Sequence, residues 1–353
     1  MADRAEKSAM SGNEGEKSRM IIVSKDEKGD FTGIQDAVDA LPESGGQILI
    51  RAGEYREKIV VHKDNVLLAG EDRDRTVIAW NGCAKDLYED GTEKGTFLSP
   101  TLTTTGCGVT VENLTIRNDA GDGRVVGQAV SVHAAGDRGI WRNCRLTAHQ
   151  DTLFCGPVRL PNVKEALGDR AGSAEQVFRV EDGHLSRSRQ YFERCVIRGD
   201  VDFIFGPYRC WFEECTLFMN ARGGWYTAAN THEEQPFGFV FHRCVLTGEC
   251  ETGAGFLGRP WRKHAATLFL ECDMDAHVAP EGFSDWDSER VVTARCGEWR
   301  TTGARADQRT RHPAQKRLTD SEAEEITVER VLGGTDGWAP DRQKPAGKKE
   351  NQA

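Results

Sequence analysis

The sequence lacks any long apolar run. No stretch approaches the roughly 20 consecutive apolar residues that a membrane-spanning helix requires. Residues 1–19 are polar and charged, without the apolar core of a secretory signal peptide. We therefore expect a disordered leader over residues 1–19, no membrane partner and a cytoplasmic location.

An excess of positive charge is also missing. The 46 Lys and Arg residues are outnumbered by 56 Asp and Glu residues, which gives a formal net charge of -10. Because nucleic-acid binding depends on basic surface that neutralises phosphates, we expect no nucleic-acid partner. An acidic substrate would have to be partly neutralised or meet a site that is locally neutral or basic.

Cysteines at metal-binding spacing are absent. The eleven cysteines are an odd number and include no Cys-x-x-Cys pair, which argues against a disulfide framework and against structural zinc. Free thiols favour a reducing compartment. Glycine, in contrast, is abundant at 38 residues, and short apolar runs alternate with turns rich in Gly and Asp. This pattern predicts an all-β architecture.

An imperfect repeat runs through the chain. Each copy has a large apolar residue, two mostly polar residues, a cysteine (leucine in the first copy), a variable residue and an apolar residue. The fourth positions fall at Leu114, Cys144, Cys195, Cys215, Cys244 and Cys272. The spacings are 30, 51, 20, 29 and 28 residues. Spacings of about 20 to 30 residues are typical of one coil of a parallel β-helix.

The repeat predicts one solenoid domain over residues 20–338. The fourth-position residues should stack inside it as a ladder of small buried side chains, an interpretation we favour over disulfides or metal ligands. The spacing of 51 residues implies one coil plus an inserted surface loop over residues 156–188. A disordered tail is expected over residues 339–353.

Two helices are predicted beside the strands. Ile34, Val38 and Leu41 have helical spacing, which indicates a short helical cap at the N-terminal end of the solenoid. A second short helix is expected over residues 321–332, near the other end.

Two aspartates adjoin apolar runs that have the character of buried strands. Asp151 and Asp202 each follow a repeat cysteine, Cys144 and Cys195, by seven residues. They should therefore occupy equivalent places on adjacent coils, about 5 Å apart. Alone, either aspartate would more often be a turn or strand-end residue than a catalytic one. Together they predict a paired-carboxylate site, in which burial and mutual repulsion separate the two pKa values.

Seven short motifs stand out along the chain. They are Gly29–Gln35, Gly53–Ile59, Gly127–Val130, Gly136–Arg138, Gln150–Leu153, Val201–Gly206 and Leu257–Trp261. In residues and in order they resemble the motifs of the pectin methylesterase (pectinesterase) family, carbohydrate esterases built on a right-handed, single-stranded parallel β-helix. The resemblance runs from about residue 21 to about residue 304.

The resemblance implies a role for each residue of the site. Asp202 is expected to be the nucleophile, and Asp151 the general acid that protonates methanol and then the base that activates water. Arg259 should orient Asp202 and keep its pKa low. Gln128 and Gln150 should donate to the tetrahedral oxyanion.

The resemblance further implies the substrate and the groups that contact it. We expect a monomeric hydrolase that releases methanol from methylated galacturonides, short oligosaccharides in particular, and that needs neither metal nor cofactor. The implied substrate contacts are Thr96, Val201, Phe205, Trp225 and Trp261.

Two other functions are compatible with a β-helix. A pectate or pectin lyase would need a calcium-binding carboxylate cluster and a basic residue, and the sequence shows no compact cluster of that kind. A non-catalytic carbohydrate-binding β-helix would have no need of the two aspartates, two glutamines and one arginine. Methanol release that survives chelation separates the esterase from the lyase.

Overall fold

The computed structural model describes residues 19–158 and 188–343, together with Leu167. Nearly all of the expected leader, most of the expected insertion and the end of the expected tail lie outside these residues. Among the described residues, no helix combines the length and apolar character needed to cross a membrane.

Three parallel sheets wind along one axis, and a complete coil contributes one strand to each sheet in turn. One full coil runs from Gly139–Arg142 through Arg145–Thr147 to Leu153–Cys155. The next coil pairs with it in parallel on all three sheets. The predicted fold class, an all-β parallel β-helix, is confirmed.

Sheet I is the longest and contains eleven strands among the described residues. Its strands are Ile21–Val23, Gly46–Ile50, Val66–Gly70, Thr110–Glu112, Gly139–Arg142, Arg189–Glu193, Arg209–Glu213, Phe239–His242, Ala266–Leu270, Arg295–Trp299 and Lys316–Arg317.

Sheets II and III complete the coils. Sheet II consists of Gly53–Tyr55, Thr76–Trp80, Thr115–Asn118, Arg145–Thr147, Val196–Gly199, Thr216–Met219, Val245–Gly248 and Asp273–Met274. Sheet III consists of Ile59–Val61, Leu102–Thr104, Val132–Ala134, Leu153–Cys155, Ile204–Gly206 and Thr227–Ala229. A separate parallel pair joins Gly224–Trp225 to Gly255–Phe256.

Helices are few and short. The α-helices are Ile34–Asp39, Gly123–Val126, Arg290–Thr293, Asp320–Glu324 and Val328–Leu332, and the 3-10 turns are Thr96–Leu98, Gln308–Thr310 and Pro340–Arg342. The first helix buries Ile34, Ala37 and Val38 in the core, which confirms the N-terminal cap. The single helix expected over residues 321–332 is instead two, because Thr327 accepts a hydrogen bond from the Arg330 amide and starts a new helix.

The repeat cysteines form the expected interior ladder. All six fourth-position residues are buried in one continuous core, and each cysteine thiol donates to backbone carbonyls of its own coil and of the preceding one. The Cys215 thiol, for example, lies 3.4 Å from the Glu213 oxygen and 3.6 Å from the Phe192 oxygen. Cysteine therefore both fills space and satisfies its own weak donor.

The residue before each ladder position makes the corner between sheets I and II. Every such residue has a positive φ, between 47° and 55°, and they are Asn113, Asn143, Arg194, Glu214, Arg243 and Glu271. The same side chains bond to each other outside the corner: Asn143 to Asn113 at 2.8 Å, Arg194 to Glu214 at 3.1 Å, and Arg243 to Glu271 at 3.1 Å. Left-handed backbone is tolerated here without glycine because neighbouring coils hold each corner.

The folded structure extends past residue 338, where we expected it to end. Pro340–Arg342 form a 3-10 turn. The Arg142 guanidinium donates to the backbone oxygens of Pro340 and Gln343, both at 2.9 Å. These bonds tie residues 340–343 to sheet I.

We expect the eleven thiols to be free and mostly unreactive in the native protein. Nine are buried, and burial raises the pKa of the Cys144, Cys215 and Cys244 thiols. Titration with a thiol reagent should modify only Cys107 and Cys250 quickly in buffer, and all eleven in denaturant without reductant. Fewer than eleven in denaturant would reveal disulfides and contradict the ladder.

Candidate active site

The candidate site lies on the outer face of sheet III. Within each strand the flanking residues, such as Leu153 and Cys155, point into the core, and the middle residue points outward. Paired in register from coil to coil, the outward residues form one row: Val60, Thr103, His133, Phe154, Phe205 and Ala228. The row provides a floor against which a ligand can lie.

The two aspartates lie at the start of this floor, in the same register. Leu153 pairs with Ile204, and the Asp151 amide donates to the Val201 oxygen at 3.0 Å. Asp151 and Asp202 are thus equivalent residues of adjacent coils, as the seven-residue offset predicts. Both have positive φ, 67° and 52°, a conformation that aspartate tolerates better than most residues.

Arg259 binds Asp202 through both nitrogens of one guanidinium edge. Its Nε lies 2.8 Å from Asp202 Oδ1, and its Nη2 lies 2.7 Å from Asp202 Oδ2. Two parallel charge-assisted bonds fix the carboxylate plane. The expected pairing of Arg259 with Asp202 is therefore present.

Burial raises the pKa of both carboxyl groups. Asp151 and Asp202 are only 8% and 6% exposed. Burial raises the pKa of Asp151 well above its ordinary value, and the Asp202 charge raises it further. Burial also raises the pKa of Asp202, although Arg259 opposes that rise. The expectation of a low pKa for Asp202 is wrong, because the guanidinium only partly offsets the loss of hydration.

The two glutamines flank the aspartates on neighbouring coils. The Ala129 amide, next to Gln128, donates to the backbone oxygen of Gln150 at 3.2 Å. Both glutamines are half-buried, and within residues 19–158 and 188–343 neither side-chain amide has a hydrogen-bond partner. A Cβ at Gly123 would lie 2.9 Å from Gln150 Oε1, so glycine there leaves the amide room. Both amides are available to a ligand.

Aromatic rings cover the floor beside the aspartates. Phe97, carried by the 3-10 turn that begins at Thr96, contacts Phe154 with ring centroids 4.9 Å apart. Phe154 stacks on Phe205 at 4.7 Å, and Trp261 tilts over Phe205 at 6.0 Å. Because Phe205 is only 4% exposed, it mainly supports the floor, and the half-buried Trp261 is the ring with surface for a sugar.

Two of the expected substrate contacts, Val201 and Trp225, contact other residues of the site. Val201 is only 6% exposed, and its backbone oxygen holds Asp151. Trp225 lies against the Arg259 guanidinium at 3.9 Å and is stacked beside the Phe256 ring at 6.0 Å. Trp225 therefore contacts the arginine of the site.

Trp286 is a residue of the site that sequence reasoning missed. Its ring covers the other face of the Arg259 guanidinium at 4.1 Å. It belongs to the polar segment after Phe283 and is 38% exposed, and no repeat or motif of the sequence marks it.

A cavity of about 460 Å³ lies next to the residues that precede the two aspartates, although neither aspartate lines it. His149 and Asp200, each two residues before a site aspartate, line it together with Arg198 and Arg222. His149 Nδ1 lies 3.0 Å from Asp200 Oδ2, and the Asp200 carboxylate is fully buried. Its hydrogen bond to Asp200 raises the pKa of His149. The cavity also contains the carboxylates of Asp119, Asp122 and Glu249, and each of its arginines pairs with a carboxylate of the same cavity, so its charges largely compensate each other.

A parallel β-helix with two buried carboxyl groups on its outer face has the architecture of β-helical carbohydrate esterases. The Pectinesterase family model matches residues 20–160 and 183–335 of this chain. The chain therefore belongs to the pectinesterase family.

Individual relatives agree with this assignment. Pectinesterase 31 of Arabidopsis thaliana is 29% identical, across 87% of this chain and 90% of its own. Pectinesterase QRT1 of the same plant is 31% identical, across 91% and 78%. Among solved structures, the pectin methylesterase from carrot has a TM-score of 0.72 at 26% identity, covering 93% of this chain and 95% of its own. A pectin methylesterase solved with a hexasaccharide has a TM-score of 0.73 at 28% identity, covering 92% and 98%.

We expect the His149 imidazole to have a raised pKa that depends on Asp200. The fixed carboxylate favours the protonated ring, so Asp200→Asn should lower the pKa of His149. An NMR titration of the imidazole carbon-bound protons measures this, with the half-exposed His264 as internal control. An unchanged His149 titration in the variant would show that the ion pair does not form in solution.

Proposed function

We propose that this protein hydrolyses methyl esters of methylated galacturonides through an aspartyl nucleophile, with release of methanol. The observation that carries the proposal is the shared register of buried Asp151 and Asp202 on adjacent coils, with Arg259 bound to one of them only. The difference in partners gives the two carboxyl groups different roles.

The first half-reaction uses both carboxyl groups. Asp202 enters ionised, and one of its oxygens attacks the ester carbonyl carbon. The oxyanion accepts hydrogen bonds from the Gln128 and Gln150 amides. As the intermediate collapses, the bond to the methoxy oxygen breaks, and protonated Asp151 gives its proton to that oxygen. Methanol leaves, and Asp202 is joined to the uronate carbonyl as an anhydride.

The second half-reaction restores the enzyme. Asp151, now a carboxylate, takes a proton from water, and the resulting hydroxide attacks the acyl carbon. The bond to Asp202 breaks, which releases the free uronate and regenerates the Asp202 carboxylate. Asp151 is protonated again. The burial that raises the pKa of Asp151 suits a group that must begin each cycle protonated.

The surroundings favour a uronate chain as substrate. The Trp261 ring offers an apolar surface for a sugar face. We propose both methylated oligogalacturonides and pectin as substrate class. A solved pectin methylesterase holds a hexasaccharide, which supports a chain rather than a single sugar.

Assembly and location are proposed from the same structure. All five proposed catalytic groups come from one chain, so a monomer is sufficient. Eleven free cysteines, nine of them buried, support a reducing compartment such as the cytoplasm. The comparisons with known proteins give no support to the lyase alternative. Formation of an unsaturated product without release of methanol would be the result that supports a lyase.

Replacement of either aspartate should abolish turnover without unfolding the protein. Asp202→Asn removes the nucleophile and should lower kcat on the order of a thousandfold or more. Asp151→Asn cannot protonate methoxide and should lower kcat by roughly a hundredfold to ten-thousandfold. Methanol release from methylated galacturonan measures both, with exposed Asp90→Asn as the matched control. Wild-type rates in Asp202→Asn would refute the mechanism.

The rate should follow a bell-shaped dependence on pH. Attack needs one carboxylate and methanol departure needs one carboxylic acid, so activity is lost below the lower apparent pKa of the pair and above the upper one. Because burial raises the pKa of both groups, the acidic limb should lie at a higher pH than the ordinary aspartate pKa of about 4. In Asp151→Asn the alkaline limb should disappear from the residual activity. Its persistence unchanged would assign that limb to another group.

A further inference from the structure

The arginine that binds the nucleophile lies inside a stack of five side chains. From one end to the other the stack contains Phe256, Trp225, Arg259, Trp286 and Arg290. The separations are 6.0 Å from Phe256 to Trp225, 3.9 Å and 4.1 Å from Arg259 to its two tryptophans, and 5.5 Å from Trp286 to Arg290. Neither the aromatic floor nor the hydrogen-bonding chemistry proposed above requires this arrangement.

We propose that Trp225 and Trp286 are positioning residues that hold the Arg259 guanidinium edge-on to Asp202. The inference rests on the proposed function, since it assigns the pair to the orientation of the nucleophile. We call these two residues the tryptophan clamp.

The geometry of a guanidinium explains what such a clamp does. Its five donors all lie in the plane of the group, and its two faces make only cation–π and stacking contacts. With a tryptophan on each face, the plane is fixed and only the edges remain free for hydrogen bonds. The edge with Nε and Nη2 meets both oxygens of Asp202, at 2.8 Å and 2.7 Å. Rotation out of that plane would break both bonds.

Each tryptophan is itself held in place. The Trp225 indole nitrogen donates to Ser284 Oγ at 2.6 Å, and its backbone amide donates to the Asp200 oxygen at 3.0 Å on the coil that carries Asp202. Trp286 is backed by Arg290, which pairs with Asp287 at 2.7 Å. Arg290 also donates to the Trp261 backbone oxygen at 2.9 Å. The clamp thus connects the nucleophile to the ring proposed to contact the sugar.

The charges around Arg259 determine how loss of the clamp would be detected. Asp202 and Asp151 interact with it from the neighbouring coils, Asp200 interacts with Asp151, and Asp287 and Arg290 belong to the segment that follows Trp286. Arg259 lowers the pKa of both Asp151 and Asp202 against the effect of burial. A displaced guanidinium therefore lets both values rise, and both limbs of the pH profile should move to higher pH.

The test uses Trp286, which is partly exposed, so that its replacement leaves the core intact. Trp286→Ala should lower kcat by about tenfold to a hundredfold, the range expected for a misplaced catalytic group, with KM changed less than about threefold. Both pH limbs should shift upward. Trp286→Phe retains a flat ring and should recover most of the rate. Trp299→Ala removes a comparable tryptophan, stacked on Arg300 at 4.4 Å away from the site, and is the matched control.

Four results would overturn the clamp. A raised KM with unchanged kcat would make Trp286 a substrate contact instead. A lower kcat with unmoved pH limbs, or a loss equal to that of Trp299→Ala, would make its role purely structural. Full activity of Trp286→Ala would remove any role.

A measurement independent of activity separates the clamp from the proposed function. Held by the rings and bonded to Asp202, the Arg259 Nε proton should exchange slowly with solvent and give a resolved NMR signal. That signal should be lost in Trp286→Ala and kept in Trp299→Ala. Its absence from the wild type would refute the clamp, whereas methanol release by Asp202→Asn would refute the proposed function alone.

Discussion

The parallel backbone hydrogen bonds between adjacent coils are the interaction on which the rest of the structure depends. Through the bond from the Asp151 amide to the Val201 oxygen, residues that are 51 positions apart become neighbours in fixed register. The ladder of thiols, the row of rings on sheet III and the two aspartates all follow from that one alignment. A slip of one residue would turn every side chain of the floor to the other face of the sheet.

The site is a compromise between burial and charge. Two carboxyl groups are removed from water, which is unfavourable for the ionised form, and one guanidinium is supplied to stabilise only one of them. The asymmetry does not come from the aspartates, whose backbone conformations and exposures are nearly the same. It comes from Arg259, which approaches from the Asp202 side, and from the rings that fix its plane.

Sequence reasoning reached the features that repeat and missed those that depend on three-dimensional convergence. The recurring cysteine identified the coil, and its equal offset to Asp151 and Asp202 placed the two aspartates side by side. The left-handed corners were hidden, because Arg, Glu and Asn at those positions have no shared side-chain chemistry. Trp286 was invisible for another reason: its partner is 27 residues earlier and belongs to no repeat. The pKa of Asp202 was misjudged because the extent of burial cannot be read from neighbouring residues alone.

The corners between sheets I and II carry a further consequence for how such a solenoid can change its length. From Arg194 onward the corner residues alternate in sign, Arg, Glu, Arg, Glu and Arg, at positions 194, 214, 243, 271 and 300. Duplication of two coils would preserve this alternation, whereas duplication of one would set like charges side by side at a strained backbone position. In this part of the molecule, coil duplication should therefore be tolerated best when an even number of coils is added.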